Sequence, residues 1–184
     1  VVIPIALGFL DSSGQEINLI PRKGAISHGV FVLKDNEAQI AFDGLTTKPI
    51  LSPFRAFSAP VIVHHDTDEA ENLIRLAHDS DSFNRWQAAQ NIASGILKTG
   101  VEDLRSGKSF KPHPSFAEAL QAVLRGQDHA FIAQILAIPS ESDIAREIGK
   151  DIDPDAIRDA RLALRKSLGE ALSNSLESLI TSLS

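Results

Sequence analysis

The sequence predicts a mixed fold, β then α: a partial antiparallel Ig-like β-sandwich followed by an all-α, solenoid-like helical array. Two observations carry this. Apolar residues recur with period 2 as far as Val63 and with period 3.6 beyond it. Between the two regimes stands Pro53-Phe54-Arg55-Ala56-Phe57-Ser58-Ala59-Pro60-Val61. Each proline fixes its own φ and extends its predecessor, so two prolines, two phenylalanines and an arginine read as an ordered, packed joint. A flexible linker would be richer in Gly and Ser. The expected domains are 1–63, the partial sandwich, and 64–184, the start of a helical domain.

Ile3, Ile5, Leu7 and Phe9 alternate with Pro4, Ala6 and Gly8, which is strand periodicity with one bulky face. Asp11-Ser12-Ser13-Gly14 is a turn, because Asp can hydrogen-bond nearby backbone and Gly accepts positive φ. Ile17-Asn18-Leu19 alternates again, so a hairpin is expected, closed by Pro21-Arg22-Lys23-Gly24. Val30-Phe31-Val32-Leu33 is continuously apolar and suits a strand buried on both sides. Ala38-Gln39-Ile40-Ala41-Phe42 returns as a strand, and Val61-Ile62-Val63 is expected as the last one. About sixty residues is thin for a self-sufficient sandwich, so this part should lean on the helices or on a neighbour.

Asp68 and Glu71 make a capping-box-like start, with Ala70, Leu73, Ile74 and Ala77 as an apolar stripe. Ser82 opens a second helix through Phe83, Trp86, Ala89, Ala93 and Leu97 to about Ser106, where Gly107 stops it. Ser115 is expected to cap a third helix, Asp128 a fourth and Ser140 a fifth. Asp153-Pro154 then places an acceptor at the N-cap and a proline at the first helical position. From there Ile157, Leu164, Leu168, Leu172, Leu176, Leu179 and Leu183 run without a stop signal. Antiparallel helix pairs of this length suggest a solenoid-like stack.

Composition excludes several classes of function. Cys is absent, so no disulfide framework or thiolate metal site exists, and a reducing, cytoplasmic location is expected. The net charge of −6 falls entirely after Val63, which argues against nucleic acid as a partner. The longest apolar run, Val1 to Leu10, is broken by Pro4 and Gly8 and is too short to span a bilayer, so no membrane partner is expected. Opening at Val1 inside an apolar run, the chain reads as a piece of a longer one.

Candidate chemistry is sparse. His64-His65-Asp66 followed by Asp68 is the one metal-like cluster, but neighbouring side chains on a strand face opposite ways, and Asp is favoured at a helix start for its own reasons. His28, His78, His113 and His129 are scattered, and no His-Glu-x-x-His, Gly-x-Ser-x-Gly or Walker-type loop occurs. Arg85-Trp86 admits a ligand-facing reading, with Arg85 on a carboxylate. Trp86 lies on the apolar stripe with Phe83 and Ala89, however, which favours a core Trp and an Arg85 tied to an Asp of the preceding loop.

Phe57-Ser58-Ala59-Pro60-Val61, Asp79 through Gln90, Ile138-Pro139-Ser140 and Ile152-Asp153-Pro154 together resemble the bacterial alanyl aminopeptidases (aminopeptidase N), zinc-dependent gluzincin peptidases. Ile3-Pro4-Ile5 leading to Leu10-Asp11, and Gln39 to Asp43 before Lys48-Pro49, match more loosely. Ile50, where the family suggests proline, is a departure, and Ala56 stands at a position where the family varies. The resemblance covers nearly the whole chain in order. It implies the second part of a small β-sandwich domain and the beginning of the C-terminal helical domain, with two sandwich strands upstream and further helices outside this sequence. It places the catalytic domain, its zinc helix and its catalytic tyrosine elsewhere in the parent, so no catalytic or metal-binding residue carries over.

The expected function is therefore that of a non-catalytic part of a zinc aminopeptidase that removes N-terminal residues from peptides. Its role would be architectural: Phe54, Phe57 and Pro60 holding the sandwich against the first helices, and Trp86 anchoring the helical start. No cofactor is expected in this chain, and zinc in the parent's catalytic domain. Its partners would be the catalytic and remaining domains of the parent, and the isolated chain should self-associate through open ends. The alternative is a stand-alone β-plus-helical interaction module, an adaptor without enzymatic activity. A hydrolase built on His64, His65 and Asp66 is a remote third reading.

Overall fold

The structure, a computed structural model, describes residues 1–22, 26–65, 67–126 and 128–182. The turn residues Lys23 and Gly24, the metal candidate Asp66 and the stripe residue Leu183 lie outside them. The chain divides into two compact units, Val1–Ala88 and Ala89–Ser184.

In the first unit, β1 (Ile3–Leu10) is the central strand of a four-stranded antiparallel sheet. Its first half pairs with β3 (Val30–Leu33), Ile3 opposite Leu33 and Ala6 opposite Val30. Its second half pairs with β4 (Ile50–Pro53), Leu7 opposite Pro53 and Leu10 opposite Ile50. β2 (Ile26–Ser27) adds to β3, giving the order β2-β3-β1-β4. His28 and Gly29, at φ 51° and 77°, close the β2–β3 hairpin. Two positive φ values in a two-residue loop are what a type I′ turn requires, and its twist matches that of the strands.

Several strand expectations need correction. The chain does turn back at Asp11, whose Oδ1 accepts from the Ser13 and Gln15 amides at 2.8 and 3.0 Å. Only one bridge, Leu10 to Glu16, forms there, so 17–19 is not a strand. The 38–42 stretch contributes a single bridge, Phe42 to Pro21. β3 is not buried on both faces, since Val32 is 39% exposed. Val61-Ile62-Val63 is extended chain outside any strand. Of these three amides only Val61 finds an acceptor among the described residues, Ala59 O at 3.0 Å. β4 was not anticipated: with Pro49 before it and Pro53 at its end it reads as a break, yet proline is tolerated on an edge strand.

α1 (Glu69–His78) starts on Asp68, whose carboxylate accepts from the Glu71 amide at 2.7 Å. Glu71 does not complete a capping box; its carboxylate takes Lys48 Nζ at 2.6 Å. The buried face of α1 is Asn72, Arg75 and Leu76 rather than the apolar stripe expected, because this helix presents polar groups to a buried network. α2 (Ser82–Arg105) ends as expected, with Gly107 at φ 73° just past it.

In the second unit the local signals hold. α3 (Ser115–Leu124) departs only in its cap position, which Pro114 holds, while the Ser115 amide donates to His113 Nδ1 at 3.2 Å. α4 (His129–Leu136) is capped by Asp128, which accepts from the Phe131 amide at 2.9 Å. α5 (Glu141–Ile148) has a full capping box between Ser140 and Asp143. α6 (Pro154–Ser182) starts on Asp153, whose Oδ1 accepts from the Ala156 amide at 3.0 Å. Leu97, Phe116, Leu120, Ile135, Ile144, Ile157, Leu164 and Leu172 are fully buried. Truncating one of them leaves a void that the packed helices cannot close. Leu164→Ala is accordingly expected to cost about 2–5 kcal/mol, read as a drop in the urea midpoint with unchanged slope.

Candidate functional site

The most constrained place in the first unit is the joint after β4. Phe54, Ala56 and Phe57 all have left-handed backbone, at φ 56°, 53° and 53°. None is glycine, and each such residue costs on the order of 1 kcal/mol or more. The surrounding hydrogen bonds hold the turn against that cost. Arg55 Nε donates to Ser52 Oγ at 2.9 Å, one terminal nitrogen donates to Asp79 Oδ1 at 3.1 Å, and the other is paired with Glu16. The Ala56 amide donates to Asp81 Oδ2 at 2.7 Å. Ser58 Oγ accepts from the Ala6 amide of β1 at 3.0 Å.

β1 must be bare where Arg55 crosses it. A Cβ on Gly8 would sit 1.8 Å from Arg55 Cζ. Absence of a side chain at Gly8 thus opens the channel through which the guanidinium reaches Asp79.

A second layer lies behind this. Asn84 Nδ2 donates to Ser52 Oγ at 3.0 Å and to Pro53 O at 2.9 Å, while its Oδ1 accepts from Arg75 at 3.1 Å. The Asn84 and Asp81 amides donate to Asp81 Oδ1 and Asp79 Oδ1 at 2.8 and 3.0 Å. Ser52, Arg75, Asp79 and Asn84 are all buried. Burial pushes the Arg75 guanidinium below its ordinary value, with Asp79 opposing. Burial does the same to Arg85, again against Asp79. Glu16 is held below its ordinary value of 4.5, first by its hydrogen bond from Arg55.

Chemically, this arrangement is a clamp. Most of its donors and acceptors are spent on one another, Arg75 Nε and Asp79 Oδ2 facing each other at 4.0 Å, and it offers no nucleophile next to a base among the described residues. Nor do the described residues include a group of three or more His, Cys, Asp or Glu side chains able to hold a metal. His64 is exposed, His65 is half-buried, and Asp68 is occupied as a helix cap. With no Cys in the sequence and its His dispersed, the donor set does not fit a catalytic zinc.

Of the four residues expected to pack at the joint, Phe54 and Trp86 are half-buried, Pro60 is exposed, and Phe57 is 57% exposed. Phe57 meets Phe83 edge-on at 5.4 Å, and Phe83 lies 5.8 Å from Trp86. Arg85 Nε donates to Leu76 O at 2.9 Å, and its amide donates to the backbone carbonyl of Asp81 at 3.0 Å. The guanidinium hydrogen-bonded to Asp79 belongs to Arg55, with that of Arg75 at 4.0 Å on the other oxygen. Sequence reasoning noticed both ends of that pair but missed the pairing, together with Ser52 and Asn84. The legible signal was a glycine breaking the bulk of β1 opposite a lone arginine in an apolar joint.

Three outcomes follow from the clamp. Arg55→Ala takes from the buried Asp79 its hydrogen-bonded cation, leaving Arg75 at 4.0 Å, and should cost about 3 kcal/mol in chemical denaturation, with Arg55→Lys recovering only part of it. Ala56→Gly relieves left-handed strain and should stabilise by about 0.5–1 kcal/mol despite the added backbone freedom. Because the Glu16 value is depressed on folding, its contribution is complete above pH 4.5 and is lost as pH falls through the lower folded value. Glu16→Gln should therefore flatten the acid side of the stability profile and leave the neutral side parallel.

Two family models match, one described as "Domain of unknown function (DUF3458) Ig-like fold" over residues 1–66, the other as "Domain of unknown function (DUF3458_C) ARM repeats" over residues 69–184. The chain is 30% identical over 176 residues to Aminopeptidase N of Escherichia coli (strain K12), covering 95% of this chain and 20% of that protein. It is 31% identical over 167 residues to Aminopeptidase N of Caulobacter vibrioides, covering 89% of this chain and 19% of that one. The crystal structure of Legionella pneumophila aminopeptidase A in complex with aspartic acid shares the fold, with TM-score 0.75 at 24% identity over 98% of this chain and 20% of that chain. The chain thus spans about a fifth of the length of the curated relatives it matches. It belongs to the DUF3458 family of Ig-like and ARM-repeat domains, and is homologous to a segment of bacterial proteins named aminopeptidase N.

Proposed function

We propose that this chain is an architectural, non-catalytic segment of a zinc-dependent, cytoplasmic aminopeptidase that removes N-terminal residues from peptides. The observation that carries the reading is coverage. Homology runs along 95% of this chain but only 20% of a relative named Aminopeptidase N, leaving ample length elsewhere for a catalytic domain. The clamp supports it from the chemical side: the most ordered polar cluster of the first unit is consumed in holding a turn. Zinc would reside in the catalytic domain, which this chain's donor set does not replace. No helix of the described residues is long and apolar enough to cross a membrane.

In this reading the partners are the catalytic and remaining domains of the parent. Phe54, Phe57, Pro60 and Trp86 serve as packing residues at the junction between the sandwich and the helices, taken as 1–63 and 64–184. The clamp fixes where their backbone stands; the aromatic row Phe57–Phe83–Trp86 contributes the apolar contact, its one edge-on pair, Phe57–Phe83, adding on the order of 1 kcal/mol.

The test is direct. The purified chain, supplied with zinc and an aminoacyl chromogenic substrate, should show no turnover above buffer. Robust zinc-dependent hydrolysis that His64→Ala abolishes would overturn the architectural reading.

A further inference from the structure

The buried polar network of the first unit is a chain of hydrogen bonds that stops one link short of a ring. A terminal nitrogen of Arg75 donates to Asn84 Oδ1 at 3.1 Å, and Asn84 Nδ2 donates to Ser52 Oγ at 3.0 Å. Arg55 Nε donates to the same hydroxyl oxygen at 2.9 Å, and its own terminal nitrogen donates to Asp79 Oδ1 at 3.1 Å. The two ends of this chain, Asp79 Oδ2 and Arg75 Nε, then face each other at 4.0 Å.

That separation is too long for a direct hydrogen bond. Both atoms are buried, and neither has a hydrogen-bond partner among the described residues. The side chains that carry them are 3% and 0% exposed, so bulk solvent does not reach them. Charge attraction across the gap leaves the N–H and the carboxylate lone pair unsatisfied, and burial makes both costly. Neither group is free to close the gap. Asp79 Oδ1 is held by Arg55 and by the Asp81 amide at 3.0 Å, while Asn84 holds the guanidinium of Arg75.

We propose that one water molecule is bound between Arg75 Nε and Asp79 Oδ2, accepting from the guanidinium N–H and donating to the carboxylate. Two contacts of about 2.8 Å each bridge such a separation, with the water lying off the line between the two atoms. The facing groups select this ligand. One of them donates and the other accepts, so the occupant must do both. A metal ion would be repelled by the guanidinium and an anion by the carboxylate, whereas water satisfies each. Buried waters occupy just such otherwise unpaired polar groups. Asn72 Oδ1 is also unpartnered, but its Nδ2 bonds to Thr67 Oγ1 and Asp68 O belong to the start of α1 and not to this ring. With the water in place, Ser52, Arg55, Arg75, Asp79 and Asn84 each hold two neighbours, and β4, the strained turn, α1 and α2 share one closed circuit.

Diffraction at near-atomic resolution from crystals of the chain, or of the longer polypeptide proposed above, tests this. A well-ordered water should stand within hydrogen-bond reach of both Arg75 Nε and Asp79 Oδ2. In solution, magnetic relaxation dispersion of the water oxygen should detect a water that stays bound for longer than the protein takes to tumble. Arg75→Met keeps the length of the stem but removes the donor, and should lower the count of such waters by one. If that variant does not fold, the unaltered chain decides by itself. Ordered side chains with nothing between them would overturn the proposal. A direct contact below about 3.2 Å, or a metal ion or anion at the site, would overturn it too. None of these measurements involves peptidase activity, so the water stands or falls independently of the proposed function.

Discussion

The arrangement of the first unit depends on one guanidinium. Arg55 leaves a strained turn, crosses β1 at the only place where a glycine lets it through, and ends on Asp79 at the corner between α1 and α2. On the way it ties down Ser52 of β4 and Glu16 of the turn that follows β1. Its energetic weight comes from burial. The Arg22–Asp43 pair has comparable charges but is largely exposed, so screening and side-chain entropy leave it little weight. Asp79 is buried, and removing its cation exposes the desolvation cost that the pair otherwise offsets.

That difference explains why α1 turns Asn72 and Arg75 inward. A helix normally buries its apolar stripe. Here Arg75 must reach Asn84, and Asn84 must reach β4, so the helix is rotated to serve the network while Leu73, Ile74 and Ala77 remain half-exposed. The sheet itself supplies little apolar burial: Phe9, Leu10 and Ile50 are its buried large residues. Polar interlocking thus does in the first unit what Leu and Ile packing does in the second. Interlocking of this kind contributes more to a unique geometry than to net stability, because each buried polar group gains little beyond its desolvation cost unless every partner is present.

The same contrast decides what could be read in the sequence. Helix starts and stops were legible at Asp68, Asp128, Ser140, Asp153 and Gly107, since a cap is a bond between residues three positions apart. Strand pairing is not local. β4 owes its existence to β1, forty residues earlier in the chain, and its flanking prolines signal a break to any short window. The Arg55–Asp79 pair failed for that reason as well: Arg85 is nearer in sequence to the aspartates, and sequence distance is a poor guide once a glycine has opened a path through a strand. Val61 to Val63 is the instructive reversal. Its composition specifies a strand, yet it runs as extended chain outside any strand.

Strain and exposure meet at the joint in a way that constrains its role. Phe57 combines a left-handed backbone with an aromatic ring left mostly in water, and the free chain gains from neither. A turn whose only task was to connect β4 to α1 would relax both by placing glycine at Phe57. The clamp instead spends Arg55, Asp81 and Asn84 on keeping the aromatic where it is, edge-on against Phe83. A rigid, apolar, partly uncovered element held by buried polar groups has the physical character of a docking surface, whose cost is recovered when a neighbour covers it. The joint's own energetics thus support the architectural role proposed above.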